Sequence, residues 1–128
     1  MKLVLRAALR AALVLSAATA LFALINILLG CRPIAIASAS MAPEIYKDDL
    51  IFIERVEPDE LREGDIITFR QPGTNVLVTH RIESISVPSA GVYTRGEQAE
   101  KADPDPVPYE NIAGRYRYRL PAVGGLFY

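Results

Sequence analysis

The sequence predicts a mainly β fold, a small antiparallel β-barrel or coiled sheet, preceded by one N-terminal transmembrane helix. Three observations lead there. An uncharged apolar stretch of twenty-one residues runs from Ala11 to Cys31; as a helix it would span about 31 Å, close to the roughly 30 Å hydrocarbon core of a bilayer. After Pro33 the pattern changes to short β-branched and apolar runs separated by turn residues. The 128 residues leave room for one small domain beyond the apolar stretch.

The N-terminal segment reads as an anchor with a direction. Lys2, Arg6 and Arg10 precede the apolar stretch and only Arg32 follows it closely. This excess of positive charge on one side puts the N-terminus in the cytoplasm and everything after Pro33 outside. The expected organisation is a cytoplasmic basic start and single transmembrane helix over residues 1–33, then an extracytoplasmic β-rich domain over residues 34–128. Two other readings compete. The basic start, the apolar stretch and the small residues Ala35, Ala37 and Ala39 also fit a cleavable secretory signal, although the stretch is longer than the apolar part of such signals. Leu28-Leu29-Gly30-Cys31 is similar to the lipobox of bacterial lipoproteins, in which the cysteine is lipidated and becomes the new N-terminus.

Charge divides along the same line. Residues 1–43 hold four basic side chains and no acid, whereas residues 44–128 hold ten basic and fifteen acidic ones. An acidic outer part carries no electrostatic footprint for nucleic acid, and Arg115, Arg117 and Arg119 alternate as one face of a strand does. Cys31, the single cysteine, excludes an internal disulfide.

Beyond the anchor the elements follow in order. Leu50–Ile53 and Ile66–Phe69 are expected strands, with Gln71–Asn75 a turn or loop after the second. A longer strand covers Val76–Val87. On it Val76, Val78, His80, Ile82 and Ser84 share one face by the period of two, so His80 points the same way as its apolar neighbours. Pro88–Gly91 is a turn, Val92–Thr94 a short strand and Glu97–Pro108 a loop rich in acid and proline. Asn111–Leu120 returns to alternation, with tyrosines at even positions and arginines at odd ones, hence one aromatic and one charged face. No long helix is expected after residue 31.

The candidate chemistry lies in Ser38-Ala39-Ser40-Met41-Ala42-Pro43, in the only histidine, His80, and in the acidic loop Glu97–Asp105. A serine hydroxyl is a poor nucleophile until a base takes its proton. A neutral imidazole can do so, and a carboxylate on the other ring nitrogen fixes its tautomer and stabilises the imidazolium. Almost any chain of this length contains these residue types, and a loop serine or a hydrogen-bonded strand histidine is the commoner role, so order and context carry the argument. Glu97, Glu100, Asp103 and Asp105 lack the ligand spacing of a calcium loop and are interrupted by prolines. No metal and no cofactor is expected.

Context comes from the run of motifs: the serine segment, then Asp49-Leu50-Ile51-Phe52, Glu63-Gly64-Asp65-Ile66-Ile67, Thr79-His80-Arg81-Ile82, Thr94-Arg95-Gly96-Glu97 and Asp103-Pro104. In this order they resemble signal peptidase I over nearly the whole chain after Pro33. The commonest bacterial type carries a lysine base where this sequence has His80, so the resemblance is to the branch of the endoplasmic reticulum, archaea and some Gram-positive bacteria. It implies a serine endopeptidase that removes signal peptides from exported proteins, with the lipid bilayer and the protein translocation machinery as further partners. Position by position it implies Ser40 as nucleophile, His80 as general base and Asp103 as the acid, with Asp105 two residues away as the other candidate. Ser38, with the Ser40 amide, is implied as the oxyanion hole, and Met41 and Glu97 as supporting residues.

Glu97 departs from the family pattern. Relatives usually have Lys-Gly-Asp where this chain has Arg95-Gly96-Glu97, and one extra methylene displaces a hydrogen bond by about 1 Å, enough to alter activity. Several relatives also continue beyond a point such as Gly124-Gly125-Leu126-Phe127-Tyr128 into another transmembrane helix, which residues 1–128 do not hold; a single-anchor member and a truncated chain are both open readings. Met41 and Ile45, close after the anchor, are expected to touch lipid. The rival from another class is a non-catalytic β-rich surface lipoprotein or adaptor lipidated at Cys31.

Overall fold

The computed structural model describes residues 1–127; Tyr128, the end of the Gly124–Tyr128 stretch, lies outside the described residues. Ala and Leu dominate the first 28 residues, where Gly and Pro are absent, and such a composition favours helix strongly. Helix α1 accordingly runs over Lys2–Leu28. It begins earlier than the uncharged stretch, because Lys2, Arg6 and Arg10 are good helix formers as well as charges. It stops at Gly30, whose φ of 68° no other residue adopts as readily. Its 27 residues and high hydropathy make it long and apolar enough to cross a bilayer. Met1–Cys31 forms one compact unit and the residues from Arg32 onward form a second.

The second unit is a seven-stranded sheet built from β1 (Cys31–Ala35), β2 (Leu50–Glu54), β3 (Ile66–Arg70), β4 (Leu77–Ser86), β5 (Gly91–Arg95), β6 (Val107–Pro108) and β7 (Ile112–Leu120). Their order across the sheet is β1-β2-β7-β3-β4-β5-β6, and every pair from β2 to β6 is antiparallel. The sheet does not close: of the two expected architectures it is the coiled sheet, with β1 and β6 at its margins. The expected strands are all present. The sequence reading passed over β1, which Pro33 interrupts at its centre, and β6, whose two residues are too short to show a period.

Consecutive side chains of a strand leave on opposite faces, and here both faces are covered. Ile66 enters a core cluster with Ile36, Met41, Ile45, Ile51 and Ile53. Its neighbour Ile67 enters another with Leu61, Phe69, Ile82, Val92 and Val107. Met41 and Ile45 are 2% and 0% exposed, so the expectation that they touch lipid is wrong: they are the apolar floor beneath the serine segment. The period of two on β4 holds from Val78 to Ile82 and then fails. Ile82 pairs with Thr94 but Ser84 with Tyr93, an extra residue that removes Ser84 from the face of His80.

On β7 the tyrosine–arginine alternation has a packing reason. Tyr118 stacks on Phe52 with ring centroids 4.8 Å apart, while Arg115 and Arg117 flank Glu54. Arg119 reaches Asp49, which is only 2% exposed and accepts from Arg119 Nη1 at 2.8 Å, Tyr46 N at 2.9 Å and Ala122 N at 3.2 Å. One buried carboxylate thus ties together the loop after the serine segment, β7 and the turn beyond it. Asp49→Ala leaves these donors without their acceptor and is expected to lower unfolding free energy by about 2–4 kcal/mol in urea titrations.

Tyr116, packed against the first cluster, has its phenol pushed above the ordinary tyrosine range, chiefly by burial and then by the Glu44 carboxylate, with Arg119 acting in the opposite direction. The folded chain therefore holds this proton more tightly than the unfolded chain does. The stability it contributes is present below about pH 10 and is lost as the pH rises above it. Tyr116→Phe is expected to lose stability less steeply than the parent between about pH 9 and 11 in unfolding measurements.

Candidate active site

His80 sits in mid-β4, opposite Ile67 of β3, and its ring meets the edge of Phe69 with centroids 6.3 Å apart. Apolar neighbours on that face leave the side chain 15% exposed. The loop after β5 then returns to β5 itself: the Asp103 amide donates to the Thr94 carbonyl at 2.7 Å. This fixes Asp103 beside β4, where Oδ2 lies 2.6 Å from His80 Nδ1. Thr94 Oγ1 donates to the same oxygen at 2.6 Å. Of the two candidate aspartates it is Asp103 that reaches the ring. Asp105 is exposed and, among the described residues, makes no ion pair.

The serine segment follows β1 and folds into a tight turn, with Ala42 N on Ala39 O at 3.1 Å and Ile45 N on Met41 O at 3.0 Å. Met41 anchors it in the core, leaving Ser40 at the surface of the turn. Ser40 Oγ is 3.2 Å from Ser38 Oγ and, among the described residues, makes no hydrogen bond to His80. The main chain is held from the other side: Gln98 N donates to Ser40 O at 3.1 Å and Gln98 Nε2 to Ala42 O at 2.6 Å. Gly96 lies between the two halves. A Cβ added there would stand 3.0 Å from Ser40 O and 3.1 Å from His80 Nε2, so the residue must lack one for the serine turn and the imidazole to approach this closely.

Ser38, Ser40, Met41, His80, Asp103 and Asp105 line one groove of about 510 Å³. Glu97 does not. Its carboxylate is 2.5 Å from Arg81 Nε, and Arg81 Nη1 donates in turn to Gly64 O at 2.7 Å. The methylene that distinguishes it from aspartate is spent in reaching Arg81. With Glu97 on Arg81 and Asp103 on His80, the acidic loop is divided between two partners.

Three contributors went unrecognised in the sequence: Thr94, Gly96 and Gln98. Thr94 pairs with Ile82, so counting two residues back to His80 places both on one face; that signal was present. Gln98 acts through its main chain and a loop contact, for which no sequence pattern exists.

Residues 8–101 match the family described as signal peptidase, peptidase S26. The chain belongs to the signal peptidase family. Ser38, Ser40 and His80 fall within the matched span and Asp103 just beyond it. Among similar proteins, signal peptidase I W of Bacillus subtilis is 36% identical over 91 residues, covering 68% of this chain and 47% of the relative. The signal peptidase complex catalytic subunit SEC11C of Homo sapiens is 27% identical over 101 residues, covering 71% and 53%. The subunit sec11 of Dictyostelium discoideum is 27% identical over the same length, covering 71% and 56%. The chain spans about half the length of the relatives it matches.

In this signal peptidase family member Gly96→Ala is expected to displace the His80 ring. The measurement is the imidazole resonances of the chain's one histidine, which shift in the variant; unshifted resonances would mean that the ring tolerates a methyl there.

Proposed function

We propose that this chain is a membrane-anchored serine endopeptidase that cleaves signal peptides from exported preproteins through Ser40, His80 and Asp103. The reading is carried by one observation: in a member of the signal peptidase family, the only histidine is paired at 2.6 Å with Asp103 in the groove that the matching serine lines.

With Nδ1–H donated to Asp103, the imidazole presents Nε2 as an acceptor on the side of Gly96 and the Ser40 turn. Substrate binding brings the Ser40 hydroxyl onto Nε2, a contact that commonly tightens only in the complex. Ser40 Oγ attacks the scissile carbonyl, His80 takes its proton and returns it to the leaving amine, and water then cleaves the acyl-enzyme by the same route. The Ser38 hydroxyl and the Ser40 amide receive the oxyanion. No step calls on a metal or cofactor.

The substrate is an extended peptide added beside β1. Ile36 N donates to Asp49 O and Ile36 O accepts from Asp48 N, so the period of two turns the main-chain groups of Ala35 and Ala37 away from β2. These two residues line the groove immediately before the serine segment. Main-chain pairing there supplies affinity, and shallow apolar walls admit small side chains near the scissile bond. Helix α1 serves as a single-pass anchor with its basic start in the cytoplasm, the sheet works on the extracytoplasmic side, and preproteins arrive from the translocation machinery. The lipoprotein alternative is disfavoured by Cys31, which opens β1 and is buried.

The test is cleavage of a fluorogenic signal-sequence peptide by the full chain in detergent. Ser40→Ala and His80→Ala are each expected to lose about 10⁴-fold or more in kcat with folds intact by circular dichroism. Ser38→Ala is expected to retain activity reduced by about 10²–10³-fold, as for loss of one oxyanion donor. Full activity in Ser40→Ala would overturn the reading.

A further inference from the structure

Thr94 has a side chain wholly committed to the site and no role in the scheme above. It is 0% exposed and lies on β5 opposite Ile82, on the face that carries His80. Its hydroxyl is 2.6 Å from Asp103 Oδ2, the oxygen that also receives His80 Nδ1 at 2.6 Å. An ionised carboxylate only accepts, so both groups donate to it. Thr94 also accepts the Asp103 amide at 2.7 Å through its own carbonyl.

The consequence is orientational. The Asp103 side chain is 30% exposed and belongs to a loop without regular structure before β6. A carboxylate so placed exchanges readily between protein and water partners unless its rotamer is fixed. One main-chain and one side-chain bond from a single buried residue fix both ends of Asp103. Two donors converging on Oδ2 then determine which oxygen faces the imidazole and along which line.

We propose that Thr94 is a positioning residue that locks Asp103 Oδ2 onto His80 Nδ1 and thereby keeps Nε2 free to accept the nucleophile's proton. The proposal rests on the serine–histidine reading above. Thr94 borders the groove but, at 0% exposed, presents no surface to substrate, so its effect belongs to the chemical step and not to binding.

The experiment compares Thr94→Val, which keeps the shape and removes the hydroxyl, with Thr94→Ser, which keeps the hydroxyl, in the full chain in detergent. Thr94→Val is expected to lower kcat about 10- to 100-fold, the size of a hydrogen bond to a charged group, with KM within about twofold. Thr94→Ser is expected to stay within about threefold of the parent, and Thr94→Val combined with Asp103→Asn to be no slower than Asp103→Asn alone. Parental kcat in Thr94→Val, equal losses in the Val and Ser variants, or additive losses in the double variant would each overturn the proposal. A second readout needs no turnover. Because the chain has one histidine, the His80 Nδ1–H proton is observable without ambiguity in ¹H–¹⁵N spectra; Thr94→Val moves or broadens it and Thr94→Ser does not. If Ser40→Ala still cleaves, the serine mechanism fails. The resonance then decides the Thr94 proposal by itself: a moved signal upholds the lock on Asp103 and an unmoved one refutes it.

Discussion

The end of β5 and the turn that follows it are hydrogen-bonded to the acidic loop nine residues on and to the serine turn far back in the sequence, and the groove depends on both attachments. On one side Thr94 takes the amide and the carboxylate of Asp103; on the other Gln98 takes the carbonyls of Ser40 and Ala42. Neither the serine turn nor the acidic loop has ladder bonds of its own in this region. Their placement relative to His80 is inherited from β5, which is itself paired along β4. Gly96 sits at the point where the two attachments diverge, and its missing side chain lets them come this close.

Beneath this arrangement lie two apolar clusters that share the sheet between them. Met41 connects the chemistry to the first of them: it follows Ser40 directly and is 2% exposed, so displacing the serine turn would mean withdrawing a buried side chain. Burying a side chain of this size is worth about 1.5–3 kcal/mol, enough to hold a short turn in one place. Asp49 closes the other end of the same loop through three donors. The segment carrying Ser40 is thus pinned by an apolar anchor at one end and a buried carboxylate at the other.

How much of this was legible in the sequence depended on range. The apolar helix follows from an uninterrupted apolar run, and the strands β2, β3, β4, β5 and β7 and the placing of His80 among apolar neighbours follow from periodicity, because both signals are local. The bulge after Ile82 is not local, since it is set by how β5 packs, and so the placing of Ser84 failed. The same limit explains Met41 and Ile45: short spacing from an anchor says nothing about burial, which is decided by strands still to come. Asp103 and Asp105 differ in sequence only by position, and the choice between them at His80 is made by a main-chain bond to Thr94. Glu97 looked like a disturbance to the site, yet its longer side chain finds Arg81 outside the groove.

The two margins of the sheet are unequal. On the far side β6 has two residues, one of them Pro108, which lacks the N–H that a neighbouring strand requires. The opposite margin, β1, also holds a proline, Pro33, but Ala35 at its end and Ala37 just beyond it turn their main-chain groups outward. The outward-turned main-chain groups are therefore concentrated at the β1 margin. Two copies meeting through their β1 margins would exhaust each other's open edge and block both grooves, whereas a chain of copies has no second edge to continue from. A single open edge of this kind favours a closed pair over an open row of copies.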